Sequence, residues 1–184
     1  MNHYALFDTP IGTCGIVWNQ NGIVALQLPE KNLAETEKKL LAKGIVAVKG
    51  EPPSWIKAVI QKIQAFFLGE SVDFSNTPLD LSNVPPFHQK VYQSLMKIPF
   101  GSITTYGELA KNIGPPNAAR AVGQAMACNP FPLLVPCHRV VGAQENLGGF
   151  SAYGKTKTKR RLLKIEGIKL KAKSKKRRKT TKCS

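Results

Sequence analysis

Residues 135–140, with the sequence VPCHRV, hold the side chains best suited to chemistry. A cysteine is a good nucleophile only as the thiolate, and a nearby imidazole or cationic group lowers its pKa and makes that form available. Cys137 is followed directly by His138 and Arg139, so both kinds of neighbour are at hand. The segment therefore predicts a nucleophilic cysteine beside a histidine base.

Adjacency in the chain does not by itself bring the thiol of Cys137 to the ring of His138. Successive side chains on an extended strand point to opposite faces, so a bent backbone or a bridging water is required. Two other interpretations stay open from these residues alone. One is a small buried cysteine in the core, because free cysteine is among the most buried residue types. The other is a cysteine hydrolase.

The elements that must position this segment begin with a small sheet in the N-terminal half. The pattern predicts antiparallel strands at 4–7, 13–18 and 23–28, of which the last two are joined by the hairpin pair Asn21-Gly22. A further strand is predicted at 45–48. The first half therefore contains a sheet onto which helices can pack.

Two helices accompany this sheet. Asn32, with Glu35 three residues later, resembles a capping box that begins a helix ending near Lys43 and Gly44. A second helix is predicted at 54–69, where large apolar residues recur at helical spacing. That apolar face is expected in the core.

Residues 71–86, SVDFSNTPLDLSNVPP, are rich in Pro, Ser and Asn and have no sustained periodicity, which is typical of a linker. The domain boundary is predicted there, with an N-terminal α/β domain at 1–80 and a second domain at 85–168. A basic tail at 169–184 completes the chain.

The second domain is predicted to be mostly helical, with helices at 87–98, 105–113 and 117–128. The last two helices are separated by Gly114-Pro115-Pro116, a break of the kind found in a helix-turn-helix. That motif reads DNA when it is exposed. The small residues of the helix at 117–128 would let its backbone approach a groove closely, or would simply pack against a neighbouring helix.

Charge is unevenly distributed along the 184 residues. The formal net charge is +16, yet residues 155–184 hold 15 of the 27 Lys and Arg and only one of the 11 acidic residues. A tail with this composition is expected to be disordered and to attract polyanions, of which nucleic acid is the usual one. A solubilising tail and an acidic membrane surface are the alternatives, although no apolar face accompanies the charges.

Cysteine usage and hydropathy narrow the class of protein. The four cysteines are irregularly spaced, with no C-x2-C pair, which disfavours a disulfide framework and a structural zinc site. His3, Cys14 and His88 could in principle converge on a metal, but their spacing matches no recognised site, so we expect no metal. The sequence has no apolar leader or membrane-length apolar run, and we expect a soluble cytoplasmic protein.

Several segments of the second half together resemble the methylated-DNA-protein-cysteine methyltransferases, the O6-alkylguanine-DNA alkyltransferase family. They are TYGELA, NAARAVGQAMACNP, PCHRVV, GGFSAYG and KRRLLKIEG, in unbroken order over about residues 85–168. The N-terminal half fits more loosely. The resemblance implies an α+β protein: a small antiparallel sheet with helices, ribonuclease-H-like, and a mostly helical, winged-helix-like domain containing a helix-turn-helix.

The resemblance also implies the roles of the reacting groups. Cys137 matches the alkyl acceptor, His138 the base that takes its proton through a water, and Glu166 the carboxylate that orients the histidine. Tyr106 matches the tyrosine that donates a hydrogen bond to the guanine ring. The product is a thioether that water does not cleave, so the resemblance implies a single turnover.

The helix at 117–128 matches the family's DNA-binding helix. Arg120 matches the finger that enters the base stack as the damaged nucleotide swings out. Ala118, Ala119, Ala121 and Gly123 are the small residues that suit the narrow minor groove.

Four further residues match the family's base pocket. Asn129 matches a hinge that orders the adjacent loop, and the backbone N–H of Ser151 matches a donor to the guanine oxygen. The carbonyls of Val140 and Cys137 would accept from the exocyclic amine. Phe150 stands where many members carry tyrosine, and SAYGKTKTK departs from the usual glycine-rich loop, so small alkyl groups are the expected substrates.

The implied function is direct reversal of O6-alkylguanine, and of O4-alkylthymine, in double-stranded DNA by a monomer that needs no cofactor. The implied location is the cytoplasm, with the nucleoid in a bacterium or the nucleus in a eukaryote. Three alternatives stay open: a non-enzymatic binder of alkylated DNA, a cysteine hydrolase, and a helix-turn-helix regulator in which the thiol is incidental.

Overall fold

The computed structural model describes residues 1–42, 44–114 and 118–170. The predicted break at Pro115-Pro116, the helix start at Asn117 and the tail beyond Leu170 lie outside these ranges. Among the helices that the structure does describe, none is long and apolar enough to cross a bilayer.

The N-terminal sheet has four strands in the order β3-β2-β1-β4. They are β1 (Asn2–Thr9), β2 (Gly12–Asn19), β3 (Gly22–Gln27) and β4 (Ala47–Lys49). The first three are antiparallel neighbours, as predicted, but each of β1 and β2 is longer than its apolar run because the backbone ladder continues into the polar turns. β4 begins two residues later than predicted and pairs with β1 in parallel.

Helices cover both faces of this sheet. Helix α1 (Leu33–Leu41) begins at Asn32, whose side chain accepts from the backbone N–H of Glu35, so the Asn32 half of the predicted capping box is present. Leu40 of α1 packs with Val17 and Ala25 on one face. Helix α2 (Ser54–Phe67) buries its apolar stripe against the opposite face. The alternation of β2 side chains between two cores follows from the two-residue period of a strand.

The C-terminal half is mostly helical, as expected for this α+β class. Its elements are α3 (Pro86–Met96), β5 (Thr104–Thr105), α4 (Tyr106–Ile113), α5 (Ala119–Ala127), β6 (Val140–Val141) and α6 (Thr156–Ile165). Helix α3 starts with proline at its first position and ends two residues earlier than predicted. Strands β5 and β6 form a short parallel pair that ties the start of α4 to the segment after Cys137.

The outer edge of β3 contacts both the linker before residue 86 and the C-terminal half. The backbone N–H of Ile23 donates to the Pro78 carbonyl at 2.9 Å, and the N–H of Leu26 donates to the Pro130 carbonyl at 2.8 Å. Gly22 permits this approach, because a Cβ there would lie 2.8 Å from the Pro78 oxygen. The largest buried cluster contains residues of both halves. The chain segments on either side of the predicted boundary therefore share one core.

Candidate active site

The loop that leads to Cys137 is held by the side chain of Asn129. Its Nδ2 donates to the carbonyl of Val135 at 3.0 Å, and its Oδ1 accepts from the N–H of Phe131 at 2.9 Å. Leu133 within this loop has a φ of 78°, a left-handed conformation unfavourable for a residue with a Cβ. The buried amide of Asn129 thus clamps a strained loop at both ends.

Cys137 begins a 3₁₀ turn, Cys137–Arg139, that follows Pro136. This turn supplies the bent backbone that an extended strand would lack. The carbonyl of Cys137 accepts from the N–H of Val140, so the turn passes directly into β6. Cys137, His138 and Arg139 are all buried.

Glu166 accepts hydrogen bonds from three partners around His138. His138 Nε2 lies 2.6 Å from Glu166 Oε1, and Arg139 Nε lies 3.0 Å from Oε2. The N–H of Gly101 donates to Oε2 at 3.0 Å. Arg139 also donates to the carbonyl of Ile98 at 2.5 Å. The carboxylate is therefore fixed, and it fixes the imidazole ring.

The electrostatics of this cluster favour a neutral histidine beside an ionised carboxylate. Burial lowers the pKa of His138 more than Glu166 raises it. Burial alone would raise the pKa of Glu166, but the hydrogen bonds and charges of His138 and Arg139 outweigh it and the pKa is lowered. A neutral ring that donates from Nε2 leaves Nδ1 as its acceptor. Nδ1 is buried and has no hydrogen-bond partner among the described residues.

The thiol of Cys137 has a pKa raised by burial, which differs from the expectation that its neighbours lower it. A hydrogen bond from the Asn129 side chain and the positive charge of Lys159 oppose this effect without overcoming it. His138, the expected base, has a lowered pKa and adds no positive charge beside the sulfur. In the resting site the sulfur is therefore a thiol, and it becomes a strong nucleophile only if a base takes its proton.

Lys159 is the residue of this site that the sequence motifs did not single out. Its side chain is fully buried on α6, and Nζ donates to the carbonyl of Val140 at 2.5 Å. Nζ also lies 3.4 Å from the carbonyl of Gly149 and 5.9 Å from the centre of the Tyr106 ring. Burial lowers the pKa of Lys159 to about 8. One ammonium group thus contacts β6, the first residue of α4 and the loop before α6, which we call the pocket loop.

A cavity of about 210 Å³ opens beside Cys137. Its walls come from α4, α5 and the loop before α6, and they are formed by Tyr106, Gly123, Met126, Ala127, Cys137, Gly149, Phe150 and Ser151. Burial, and then the Cys137 sulfur, raise the pKa of Tyr106, so its hydroxyl remains a donor at neutral pH. The cavity suits one small planar group held against the sulfur.

Gly148 is a second residue that the motifs did not single out. It has a φ of 64°, and a Cβ there would lie 2.9 Å from the hydroxyl of Tyr106. Only glycine allows the loop to close over Tyr106 in this conformation.

Two of the four predicted pocket residues, Phe150 and Ser151, line this cavity, whereas Asn129 and Val140 do not. Tyr106, Phe150 and Ser151 line it, and Ser151 is exposed at its mouth. Val140 is buried behind the cavity, and its carbonyl already accepts one hydrogen bond from Lys159. A carbonyl has two lone pairs, so one remains.

Helix α5 presents the predicted DNA-binding residues unequally. Arg120 and Ala121 are exposed near the start of the helix. Ala118 and Ala119 are partly buried against the core, so they serve packing as well. Gly123 lines the cavity, where a Cβ would approach the Tyr106 ring to 3.9 Å.

A contact from the N-terminal half reaches the Cys137–Arg139 turn. The ring of Phe66, fully buried at the end of α2, meets the ring of His138 edge to face with centroids 6.1 Å apart. Phe66 also meets Phe100 in the same way at 5.9 Å. The first half of the chain therefore provides part of the apolar surroundings of the imidazole.

The other cysteines and histidines of the described residues lie outside this site. Burial raises the pKa of Cys14 to about 12, so this thiol is inert, whereas Cys128 is exposed after α5. His3 stacks on Trp18, and His88 lies against aromatic rings of α3. Within the described ranges, no three His, Cys, Asp or Glu residues form a group that could hold a metal.

Comparison with known proteins agrees with this geometry. The family model described as "6-O-methylguanine DNA methyltransferase, ribonuclease-like domain" matches residues 2–81, and its "DNA binding domain" counterpart matches residues 86–168. The constitutive methylated-DNA–protein-cysteine methyltransferase of Bacillus subtilis (strain 168) is 37% identical over 94% of this chain and 100% of its own length.

Solved structures give the same result. The structure of Mycobacterium tuberculosis OGT in complex with DNA has a TM-score of 0.72 and 34% identity, covering 89% of this chain and 92% of that one. The O6-methylguanine-DNA methyltransferase of Pyrococcus kodakaraensis strain KOD1 has a TM-score of 0.66 and 27% identity, covering 91% and 100%. The α+β architecture is thus shared across both halves, and the chain belongs to the 6-O-methylguanine DNA methyltransferase family.

Proposed function

We propose that this protein repairs DNA by moving the alkyl group of O6-alkylguanine, mainly methyl, to Sγ of Cys137 in one irreversible turnover. O4-alkylthymine is the expected second substrate. The observation that carries the proposal is the buried Cys137 thiol at the wall of a base-sized cavity, beside a neutral His138 that is fixed by Glu166. Because the substrate is chromosomal DNA, we infer that the protein works in the cytoplasm, or in the nucleus of a eukaryote.

The reaction is a displacement at the alkyl carbon. His138 Nδ1 takes the thiol proton, directly or through a water, and the sulfur then attacks the carbon. The new S–C bond forms as the C–O6 bond breaks, and its electron pair leaves with the guanine. The Tyr106 hydroxyl and the backbone N–H of Ser151 are placed at the cavity to stabilise the charge that develops on the departing base.

Access to the carbon requires that the nucleotide leave the duplex, because the alkyl group is otherwise stacked inside it. The exposed Arg120 on α5 is the group proposed to fill the space in the stack. The remaining lone pairs on the carbonyls of Val140 and Cys137 would accept from the exocyclic amine of guanine. Phosphate contacts add affinity without sequence preference.

The test is mass spectrometry of the protein after incubation with a duplex that carries O6-methylguanine. The expected result is a gain of one methyl on the peptide that holds Cys137, with loss of the methyl from the DNA. Cys137→Ala is expected to abolish transfer, whereas Cys128→Ala, which removes an exposed thiol close in sequence, should retain it. Binding without any gain in mass would instead indicate a lesion binder or a regulator.

A further inference from the structure

Helix α6 carries a continuous basic face. Lys157, Arg160, Arg161 and Lys164 are all exposed and follow the spacing i, i+3, i+4, i+7. At about 100° per residue, this spacing places them within an arc of about 100° over about 10 Å of helix. We call these four residues the α6 basic face.

The α6 basic face points away from the active site. The other side of the helix is formed by Lys159, Leu162 and Leu163, which are fully or nearly fully buried. Lys159 contacts β6 and the pocket loop from that side. The α6 basic face therefore lies on the side of the helix opposite the one that contacts the residues around the cavity.

The charge of this face is not neutralised within the described part of the chain. None of its four side chains takes part in an ion pair there. The acid at the end of the helix, Glu166, is buried and bound to His138 and Arg139. No large exposed apolar residue lies on α6, so the face lacks the apolar wedge of a helix that lies in a membrane surface.

We propose that the α6 basic face binds the phosphate backbone of a second DNA duplex while α5 holds the duplex that is being searched. The proposal rests on the proposed function, since it assumes that α5 engages DNA. Closely spaced cations without apolar neighbours match the sequence-independent, electrostatic recognition of phosphate. Contact with two duplexes at once would let the protein pass from one DNA segment to another without release.

The test is a bridging assay with the full chain. Protein is bound to beads that carry an unmodified duplex, and recruitment of a second, fluorescent duplex is measured per molecule of bound protein. The variant K157Q/R160Q/R161Q/K164Q is compared with a matched control, K31Q/K38Q/K49Q/K62Q, which removes four exposed lysines from the N-terminal half. The smaller variant R160Q/R161Q serves if the quadruple variant unfolds.

We expect the α6 variant to recruit the second duplex at least about fivefold less than the unaltered chain, and the control to recruit it normally. Unchanged recruitment by the α6 variant, or an equal loss in the control, would overturn the proposal. Binding to phosphatidylserine vesicles that the α6 variant loses, with duplex recruitment intact, would assign the face to a membrane and overturn it as well.

A separate measurement keeps the two proposals distinct. Methyl transfer at saturating protein is expected to proceed at the same rate in both quadruple variants and in the unaltered chain. Absence of transfer in all three would contradict the proposed function, while the bridging result would still be read from the fluorescent duplex.

Discussion

Cys137 and His138, the two residues proposed to exchange a proton, are both neutral in the resting site. Burial raises the pKa of the Cys137 thiol and lowers that of His138, because each charged form is less well solvated inside the protein than in water. The expected pre-formed thiolate is therefore replaced by a thiol and a base that exchange a proton during the reaction. This arrangement avoids a permanently buried ion at the sulfur.

The lowered pKa of His138 sets the acid limit of the reaction. We expect the single-turnover rate to be constant near neutrality and to fall about tenfold per pH unit only below the usual histidine value of about 6.5. Stability changes in the same direction. The pKa of His138 is lower in the folded chain than in the unfolded chain, so the unfolded chain binds the proton first as the pH falls, and the free energy of unfolding declines below about pH 6.5. Rate and unfolding measurements across this range check both.

His88→Gln is the control, because His88 lies outside the site. This variant should leave the decline of the single-turnover rate at low pH unchanged. We call this decline the acid limb. A rate that already declines well above pH 6.5 would show that His138 is more basic than its burial implies.

Lys159 provides the second prediction for a single residue. Lys159→Met keeps the length of the side chain but removes the cation near Cys137 and the donor to Val140. We expect the pH at half-maximal alkylation of Cys137 by iodoacetamide to rise, and methyl transfer to fall by about 10- to 100-fold. Lys157→Met, an exposed neighbour on the same helix, should change neither. If the two variants were alkylated and transferred methyl alike, Lys159 would have no role in the site.

At the scale of elements, helix α2 of the N-terminal half contacts the Cys137–Arg139 turn through Phe66. Phe66→Leu should leave a gap beside the His138 ring and cost about 1–3 kcal/mol of stability. Water near the ring would raise the pKa of His138, so the acid limb of the rate should move to higher pH. The charged groups that shift the pKa of His138 are unchanged in this variant; they are Glu166, Arg139 and Lys159.

Phe67→Leu is the matched control for this contact. Phe67 is buried on the same helix, and its ring meets Phe66 rather than His138. It should lower stability without moving the acid limb. A shift of equal size in both variants would mean that the effect comes from general loosening of the core.

The sequence predicted those features that depend on local pattern. The helix cap at Asn32, the apolar stripe of α2 and the motif residues Cys137 and His138 could be found because each is encoded within a few positions. Lys159 could also have been found: Lys159, Leu162, Leu163 and Glu166 share one face at helical spacing. The surrounding run of lysines and arginines hid this signal.

Other features could not be inferred from the sequence because they depend on contacts between distant segments. The edge contact of Phe66 with His138 joins residues that are 72 positions apart, and the parallel pairing of β4 with β1 is also non-local. The raised pKa of Cys137 depends on how deeply the thiol is buried, which adjacency to His138 does not reveal. Burial is a property of the packed fold.

At the scale of the whole molecule, more than half of the Lys and Arg residues follow the residues that line the cavity. The basic tail beyond Leu170 lies outside the described residues, and its role rests on its composition. We expect truncation after Leu170 to weaken non-specific DNA binding and to reduce the steepness of its salt dependence by about 0.9 for each phosphate that the shortened chain no longer neutralises. Fluorescence anisotropy over a series of salt concentrations measures this slope.

A tail of the same length with glutamine in place of its lysines and arginines should behave like the truncated chain. An unchanged salt slope in both would contradict a role of the tail in binding DNA. Methyl transfer at saturating protein should be unaffected in either case, because the residues proposed to react, from Tyr106 to Glu166, all precede the tail.

The role of Cys137 as a single-use acceptor is tested by counting the methyl groups transferred when lesion-bearing duplex is present in large excess. If Cys137 is the acceptor and its thioether is stable, transfer should stop at one methyl per protein chain, with the thiol of Cys137 fully consumed. Continued removal of methyl groups beyond that ratio would contradict the proposed function and would instead indicate a hydrolase that regenerates its cysteine.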